Sequence, residues 1–173
     1  EIVDWNKEKE QIDINAIAND GPEATTLING YVSPTHNTIE LAIGARGSYV
    51  DFMHTYTHAF LSHITGHADG DLRLAGTLDN INLTGKLLVE GEASVTTLNT
   101  TYKLHRDTVV FIPDEIELHG LPLTDIYGNQ ARLSGGIHHK HLTNLTFDLF
   151  VDAESLLAYD FKDFGNANFY GTV

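Results

Sequence analysis

Apolar and polar residues alternate along most of the chain, which is typical of β-strands that bury one face. The first clear run places Ile39, Leu41 and Ile43 opposite polar or small neighbours. Further runs have apolar residues at every second position, or at positions of the same parity. These residues are Leu72, Leu74 and Leu78; Ile81, Leu83, Leu87, Val89 and Val95; Leu133 and Ile137; and Leu145, Phe147, Leu149 and Val151. The abundance of Thr, Val and Ile favours strand over helix. The pattern predicts about eight to eleven strands.

One segment departs from this period and predicts a short helix. Its apolar residues follow helical spacing at Tyr49, Phe52, Met53, Tyr56 and Phe60. Ser48 is suited to cap the start, and Asp51 stands at the capping-box position. We expect this helix to end before Gly66 and to lay its aromatic side on the sheet.

A short repeat and several turns indicate how the strands follow one another. The pattern Gly-x-Leu-x-apolar-x-Gly occurs at residues 70–76 and again at 85–91. It fits a sheet in which each strand pairs with the one before it, with glycines at strand ends, bulges or close backbone approaches. Turns are predicted at Asp79-Asn80, at Asp107 and at residues 127–129.

A sheet with one apolar face needs something to cover that face, and three closures are open at this point. Two sheets can bury their faces against each other as a sandwich, or one sheet can close into a barrel filled by side chains. A curved, half-open sheet would instead leave an apolar trough, partly covered by the helix. Only the third closure needs a ligand, because a large exposed apolar patch is costly.

Composition narrows the classes of partner. The chain has 173 residues, enough for one domain, and 42% of them are hydrophobic, which is enough for a core. Its formal net charge of −14 argues against nucleic acid and against an anionic lipid surface, because both require clustered Lys and Arg. The absence of Cys excludes disulfides and thiol chemistry.

The termini carry no recognisable targeting signal. No apolar run approaches the roughly 18 residues of a membrane span, and the first residues lack the features of a signal peptide. The last residues stop inside a strand-like pattern. We therefore interpret the chain as part of a longer protein.

The residues offer little support for catalysis or metal binding. His54 and His58 have the spacing of two zinc ligands, but the general-base Glu of a zinc protease is missing between them. A second histidine-rich stretch, at 138–141, is predicted to expose its imidazoles at a strand end. Asp114, Glu115 and Glu117 are better explained as solvated carboxylates than as a glycosidase pair. We predict no enzyme activity, no cofactor and no metal site.

The order of several short motifs resembles the conserved C-terminal region of TamB, in the AsmA-like family of envelope proteins. A glycine-spaced entry, a Tyr-x-apolar strand, a D-x-x-G-N-x-A turn and a G-x-apolar-x-H step occur in the family's order. The matching segments are Ile64–Gly76, Leu83–Leu87, Tyr102–Leu104, Leu123–Ala131, Gly135–His139, Asn144–Leu149 and Asn168–Gly171. On this basis residues 39–173 form the TamB-like β region, and residues 1–38 contribute preceding strands.

The resemblance implies the third closure: an elongated, curved, half-open antiparallel sheet, shaped like a folded taco, with an apolar concave face. It also implies a parent chain that is anchored in the inner membrane and crosses the periplasm of a Gram-negative envelope. The partners would be phospholipid acyl chains and an outer-membrane barrel protein of the TamA/BamA type. The role would be phospholipid transport to the outer membrane, or assembly of outer-membrane β-proteins.

Acyl chains in transit need a continuous apolar surface, and the alternating runs supply candidates for it. The candidate trough residues are Leu72, Leu74, Leu78, Ile81, Leu83, Leu87, Val89, Val95, Leu133, Ile137, Phe147, Leu149 and Val151. Two alternatives stay open. The chain would otherwise be a non-enzymatic module that adds a client strand to a sheet edge, or a secreted β-sandwich that binds glycans or metal.

Overall fold

Ten strands form one antiparallel sheet in the order in which they occur along the chain. The computed structural model describes residues 2–19, 21, 23–51, 57–58, 60–140, 143–161 and 169–172. The strands are β1 (Ile2–Asn6), β2 (Gln11–Asn19), β3 (Thr25–Ser33), β4 (Thr38–Tyr49), β5 (Leu61–Thr77), β6 (Asn80–Val95), β7 (Thr100–Ile112), β8 (Glu115–Thr124), β9 (Gln130–Lys140) and β10 (Thr143–Ala153). A separate hairpin follows, with β11 (Leu157–Phe161) and β12 (Phe169–Thr172). The predicted all-β sheet of sequential strands is confirmed.

The sheet is open, which excludes the sandwich and the closed barrel. Strands β1 and β10 are its two edges, and within the described residues they do not pair with each other. The accessible surface is 10739 Å² for a chain of 19.1 kDa. A globular protein of this mass exposes about 8400 Å². The excess agrees with a half-open sheet whose interior is accessible.

The first three strands belong to the same sheet as the rest. Residues 1–38 contribute β1, β2 and β3, and β3 pairs with β4 along nine positions from Thr25↔Arg46 to Ser33↔Thr38. Residues 39–173 therefore continue a sheet that begins before them.

The helix prediction is wrong at both of its described ends. Ser48 and Tyr49 lie in β4 and pair with Ala68 and His67 of β5. The Ser48 hydroxyl donates to the Thr25 carbonyl at 3.0 Å and lies 2.8 Å from the Thr26 hydroxyl, so it bridges strands rather than capping a helix. Residues 61–65, expected in the helix, begin β5, while residues 52–56 lie outside the described residues. No helix in the described part of the chain is long and apolar enough to cross a membrane.

Two of the predicted turns lie elsewhere or do not form. The turn between β5 and β6 consists of Leu78 and Asp79, while Asn80 already pairs with Thr77. Strand β7 runs through Asp107 without turning, although its register against β6 shifts next to this residue. The Asp107 carboxylate accepts a hydrogen bond from the Thr108 amide at 2.6 Å. The turn predicted at residues 127–129 does form between β8 and β9 but begins earlier, since the Gly128 amide donates to the Asp125 carbonyl at 3.1 Å.

The glycine repeat is explained by how its two copies pair. The copies lie on adjacent antiparallel strands, so that Gly70 pairs with Leu87 and Gly85 pairs with Leu72. Each Leu side chain passes close to the glycine opposite it. Gly85 has a φ of 134°, in a region that favours glycine, and a Cβ there would collide with the carbonyl oxygen of Asp71. The repeat therefore marks a close approach of two strands.

We expect Gly85→Ala to destabilise the sheet, because Ala would be strained at this φ and its Cβ would collide with backbone. The expected loss in the free energy of unfolding is about 1–3 kcal/mol, measured by urea denaturation. Gly44→Ala is the matched control, since Gly44 also lies inside a strand but its Cβ would meet only side-chain atoms at 3.4 Å or more. Equal stability of the two variants would contradict this account.

Candidate functional site: an apolar trough

The register of the sheet places apolar side chains of all ten strands on one face, which we call the apolar face. Cross-strand pairs carry this face from β1 to β10, because paired residues point to the same side. Its members besides the predicted ones include Trp5, Ile12, Ile14, Ile28, Val32, Ile39, Leu41, Ile43, Val109, Phe111, Ile116, Leu118 and Leu123. The opposite face carries most of the charged residues and is the polar face.

All of the predicted trough residues except Leu78 lie on the apolar face. Leu72 and Leu74 pair with Ile43 and Leu41, and the members on β6, β9 and β10 continue the same side. Leu78 instead occupies the tight turn after β5 and is 37% exposed. The alternation of apolar residues continues one step past the end of β5, and this explains why Leu78 was predicted to lie on the apolar face.

The sheet curls so far that edge strand β10 meets the residue before β5 across the apolar face. The register carries Phe147 of β10 through β9, β8, β7 and β6 to Leu72 of β5. Phe60 precedes Leu72 by twelve residues. In a flat sheet, Phe60 and Phe147 would lie about 40 Å apart along the strands and about 24 Å apart across them. Their ring centroids are 4.9 Å apart, in an edge-to-face contact. The apolar face is therefore concave, and we call this concavity the trough.

Glycines and bulges give the backbone the freedom to curl. Register shifts interrupt the ladders of five strand pairs within the sheet: β4–β5, β5–β6, β6–β7, β8–β9 and β9–β10. Gly30, Gly66, Gly70, Gly76 and Gly135 lie on the apolar face with positive φ, like Gly85. Bulges and glycines are the devices that bend a sheet, and glycines on the inner face also leave room inside the bend.

A short segment after β10 covers one end of the trough. Leu156 is buried against Leu123 and Ala131 of the apolar face. The hydroxyl of Tyr102 donates to the Leu157 carbonyl at 2.8 Å, and the Asp160 amide donates to the Leu98 carbonyl at 3.0 Å. We call residues 156–161 the C-terminal strap. It packs against the start of β7, the end of β8 and the start of β9.

Asp125 fastens this strap to the sheet. Its carboxylate accepts hydrogen bonds from the amides of Tyr127 and Asn129 on one oxygen. The other oxygen accepts from the Asn129 side chain and from the Leu157 amide, both at 2.8 Å. The residue is only 6% exposed. Burial raises the pKa of the Asp125 carboxyl, but the bonds from Asn129, Leu157 and Tyr127 outweigh it and hold the pKa below its ordinary value.

The polar face carries exposed ion pairs between strands. Arg46 pairs with Asp71 at 3.0 Å, and Arg73 pairs with Glu40 at 2.7 Å. Arg106 reaches across β6 to Asp69 of β5 at 3.0 Å. Exposed pairs of this kind contribute about 0–1 kcal/mol each, so they add little to the fold.

The histidines do not assemble a metal site among the described residues. No three His, Asp or Glu side chains come together there in a potential metal-binding group. His138 is exposed as expected and lies 3.8 Å from Glu115. His139 is buried, contrary to the prediction for this stretch, because the strand parity that exposes His138 turns its neighbour to the apolar side. His54 and His141 lie outside the described residues.

A second concavity opens at the rim formed by the ends of β8 and β10 and has a different chemistry. Its volume is about 790 Å³, and its polar lining includes His105, Thr124, Gln130, Arg132 and Asp152. The mixture of both charges and hydroxyl or amide groups suits water or polar ligands. The trough, by contrast, is lined mainly by apolar side chains.

Comparison of the chain with protein-family models, with curated proteins and with solved structures found no match. The trough is therefore the main guide to function.

We expect Asp125→Asn to loosen the C-terminal strap. An amide nitrogen in place of either oxygen would face two N–H donors, so two hydrogen bonds to a buried charge would be lost. The expected cost at pH 7 is about 3 kcal/mol in the free energy of unfolding, measured by urea denaturation.

The cost of Asp125→Asn should also depend on pH. A pKa lowered by folding stabilises the protein above the unfolded-state value, about 3.9, and this contribution is lost as pH falls through the folded-state pKa. The difference between the two proteins should therefore shrink below about pH 4. A difference that stays constant from pH 7 to pH 3 would contradict the assigned role of the carboxylate.

Proposed function

We propose that the chain is a segment of a periplasm-spanning envelope protein that shields lipid acyl chains in the trough during phospholipid transport to the outer membrane. The single observation that carries the proposal is the concave apolar face, which extends over ten strands and is open along one side. Removing apolar surface from water contributes about 25 cal/mol of favourable free energy for each Å². The exposed apolar side chains of the trough therefore favour an apolar occupant.

The chemistry of the trough suits acyl chains in particular. Its lining is mainly aliphatic and aromatic, so it offers contact along a chain without demanding a specific arrangement of hydrogen bonds. Trp5 at one edge is 51% exposed, and Phe147 near the other is 46% exposed, so the apolar surface reaches both edges. A continuous strip of this kind would let chains move from one segment of a longer protein to the next.

The resemblance of residues 39–173 to TamB supports the same proposal from the sequence side. It supplies the expected location in the periplasm, the inner-membrane anchor on the parent chain and an outer-membrane barrel partner of the TamA/BamA type. No enzyme activity is needed for this role, since shielding an acyl chain breaks no bond.

A second candidate function is the assembly of outer-membrane β-proteins through strand addition. The specific observation in its favour is β10, an edge strand of eleven residues that pairs only with β9 in the described sheet. An edge of this length can accept a client strand through main-chain hydrogen bonds.

Photocrosslinking at adjacent positions tests the proposal. Leu87 and Leu88 are neighbours on β6, and Leu149 and Phe150 are neighbours on β10, but in each pair only the first lies on the apolar face. Benzoylphenylalanine at each of the four positions would be irradiated with phosphatidylcholine vesicles that carry a radiolabelled phospholipid. We expect labelled adducts at residues 87 and 149 and at least tenfold fewer at 88 and 150.

The same variants distinguish the second candidate function. A client strand paired with β10 would lie beside both Leu149 and Phe150, so a barrel protein should crosslink at both positions. Failure to capture phospholipid at residues 87 and 149 would overturn the transport proposal.

A further inference from the structure

The contact between Phe60 and Phe147 bridges the trough between the residue before β5 and edge strand β10. We propose that these two rings form a gate, which an acyl chain displaces when it enters or leaves the trough laterally. The gate rests on the proposed function of the trough, and it adds a route of access and a point of control to it.

One half of the gate is fixed to the rim of the sheet. The Phe60 amide donates to the Thr57 carbonyl at 2.9 Å, and the Phe60 carbonyl accepts from the Thr96 amide at 2.9 Å. The second bond ties Phe60 to the turn that follows β6. The backbone of Phe60 therefore moves only with the rim.

The other half of the gate lies on an edge strand. Phe147 belongs to β10, which has a hydrogen-bonded neighbour on one side only within the described sheet. The β9–β10 register shifts between Thr143 and Thr146, immediately before Phe147. Its side chain stays nearly half exposed even while it touches Phe60. Rotation of this ring, or a small outward movement of β10, separates the pair without disturbing the rest of the sheet.

The contact is weak enough for an acyl chain to displace. An edge-to-face aromatic pair changes an equilibrium constant by about two- to tenfold. Each buried methylene contributes about fourfold to a binding constant. One or two methylenes of a bound chain are therefore enough to offset the closed contact.

The surroundings of the gate offer a place for a chain to settle before it enters. Leu149 and Val151 follow Phe147 on the same face of β10, and both are exposed. They extend the apolar strip away from the ring pair, toward the end of the strand. A chain lying on this strip meets Phe147 as it moves inward.

A crosslink between the two positions tests the gate directly. The chain contains no Cys, so a short bismaleimide reacts only where cysteines are introduced. The double variant Phe60→Cys with Phe147→Cys would be compared before and after crosslinking, using exchange of a pyrene-labelled phosphatidylcholine between vesicles and the protein. We expect the crosslink to slow exchange at least tenfold.

The control crosslink joins two turns without crossing the trough. Asn37 and Asp79 lie in the turns after β3 and β5, and their side chains are hydrogen-bonded at 2.9 Å. Asn37→Cys with Asp79→Cys, linked in the same way, should leave the exchange rate unchanged.

A single substitution tests the gate without any crosslink. Phe147→Ala removes one ring, and exchange should become about two- to tenfold faster. Phe150→Ala is the matched control, because Phe150 lies on the same strand, faces the polar side and is 68% exposed.

The outcomes separate the gate from the proposed function. If the chain takes up lipid but the Phe60–Phe147 crosslink leaves exchange unchanged, the gate is overturned and the trough keeps its function. The gate is likewise overturned if Phe147→Ala and Phe150→Ala exchange lipid at equal rates. If the unmodified chain takes up no lipid, both proposals fail.

Discussion

The whole structure depends on one constraint: the sheet carries its apolar residues on a single face and has no second layer of comparable size, within the described residues, to cover them. A flat sheet with this composition would expose a patch far larger than a soluble protein tolerates. Curling the sheet brings the apolar side chains toward one another, and the contact of Phe60 with Phe147 marks how far the curl goes. The curl reduces the exposed apolar area without sealing it. What remains exposed is the trough.

The backbone has to allow this curl, and the sequence shows where it does. Glycines recur on the inner face, where a Cβ would meet the backbone of the next strand, and Gly85 with Leu72 illustrates the arrangement. Where one strand lacks a side chain, the Leu of its neighbour fills the space. The repeat visible in the sequence is therefore a packing device for two adjacent strands, and it serves the curvature as well as the pairing.

The sequence predicted those features that depend on neighbouring residues. Strand parity is a local property, so it assigned Leu87 and Leu149 to the apolar face correctly, and it failed at Leu78 only because the period continued into a turn. The helix at Tyr49 was predicted wrongly since the spacing of its aromatic residues is the same whether or not the segment is helical. Ser48 and Tyr49 pair with β5 instead of forming a helix, and the spacing of the aromatic residues carries no information about this pairing.

Features that depend on distant residues were beyond the reach of the sequence. The Asp125 turn was visible as a motif, but its bond to Leu157 joins residues 32 positions apart. The contact of Phe60 with Phe147 depends on twist and bulges summed over five strand-to-strand steps. Small differences at each step would move the two rings many ångströms apart, so no local pattern could have placed them together.

Electrostatics has a different role on each side of the sheet. The charges of the polar face are solvated, and their ion pairs add little to stability. Asp125 is the contrasting case, because a buried carboxylate is tolerated only when hydrogen bonds replace its hydration, and here four donors do so. This charge at the end of the trough thus holds the strap in place.

The two candidate functions meet on the same strand. Strand addition would use the outer edge of β10, whereas the trough uses its inner face, and Phe147 belongs to that face. A client strand paired with β10 would give it a second hydrogen-bonded neighbour and would therefore oppose the movement that separates Phe147 from Phe60. Strand addition would then slow lipid exchange, since a client strand that stiffens β10 keeps the gate closed. Such coupling follows from the position of one ring on an edge strand, and it would be lost if that ring lay on any interior strand of the sheet.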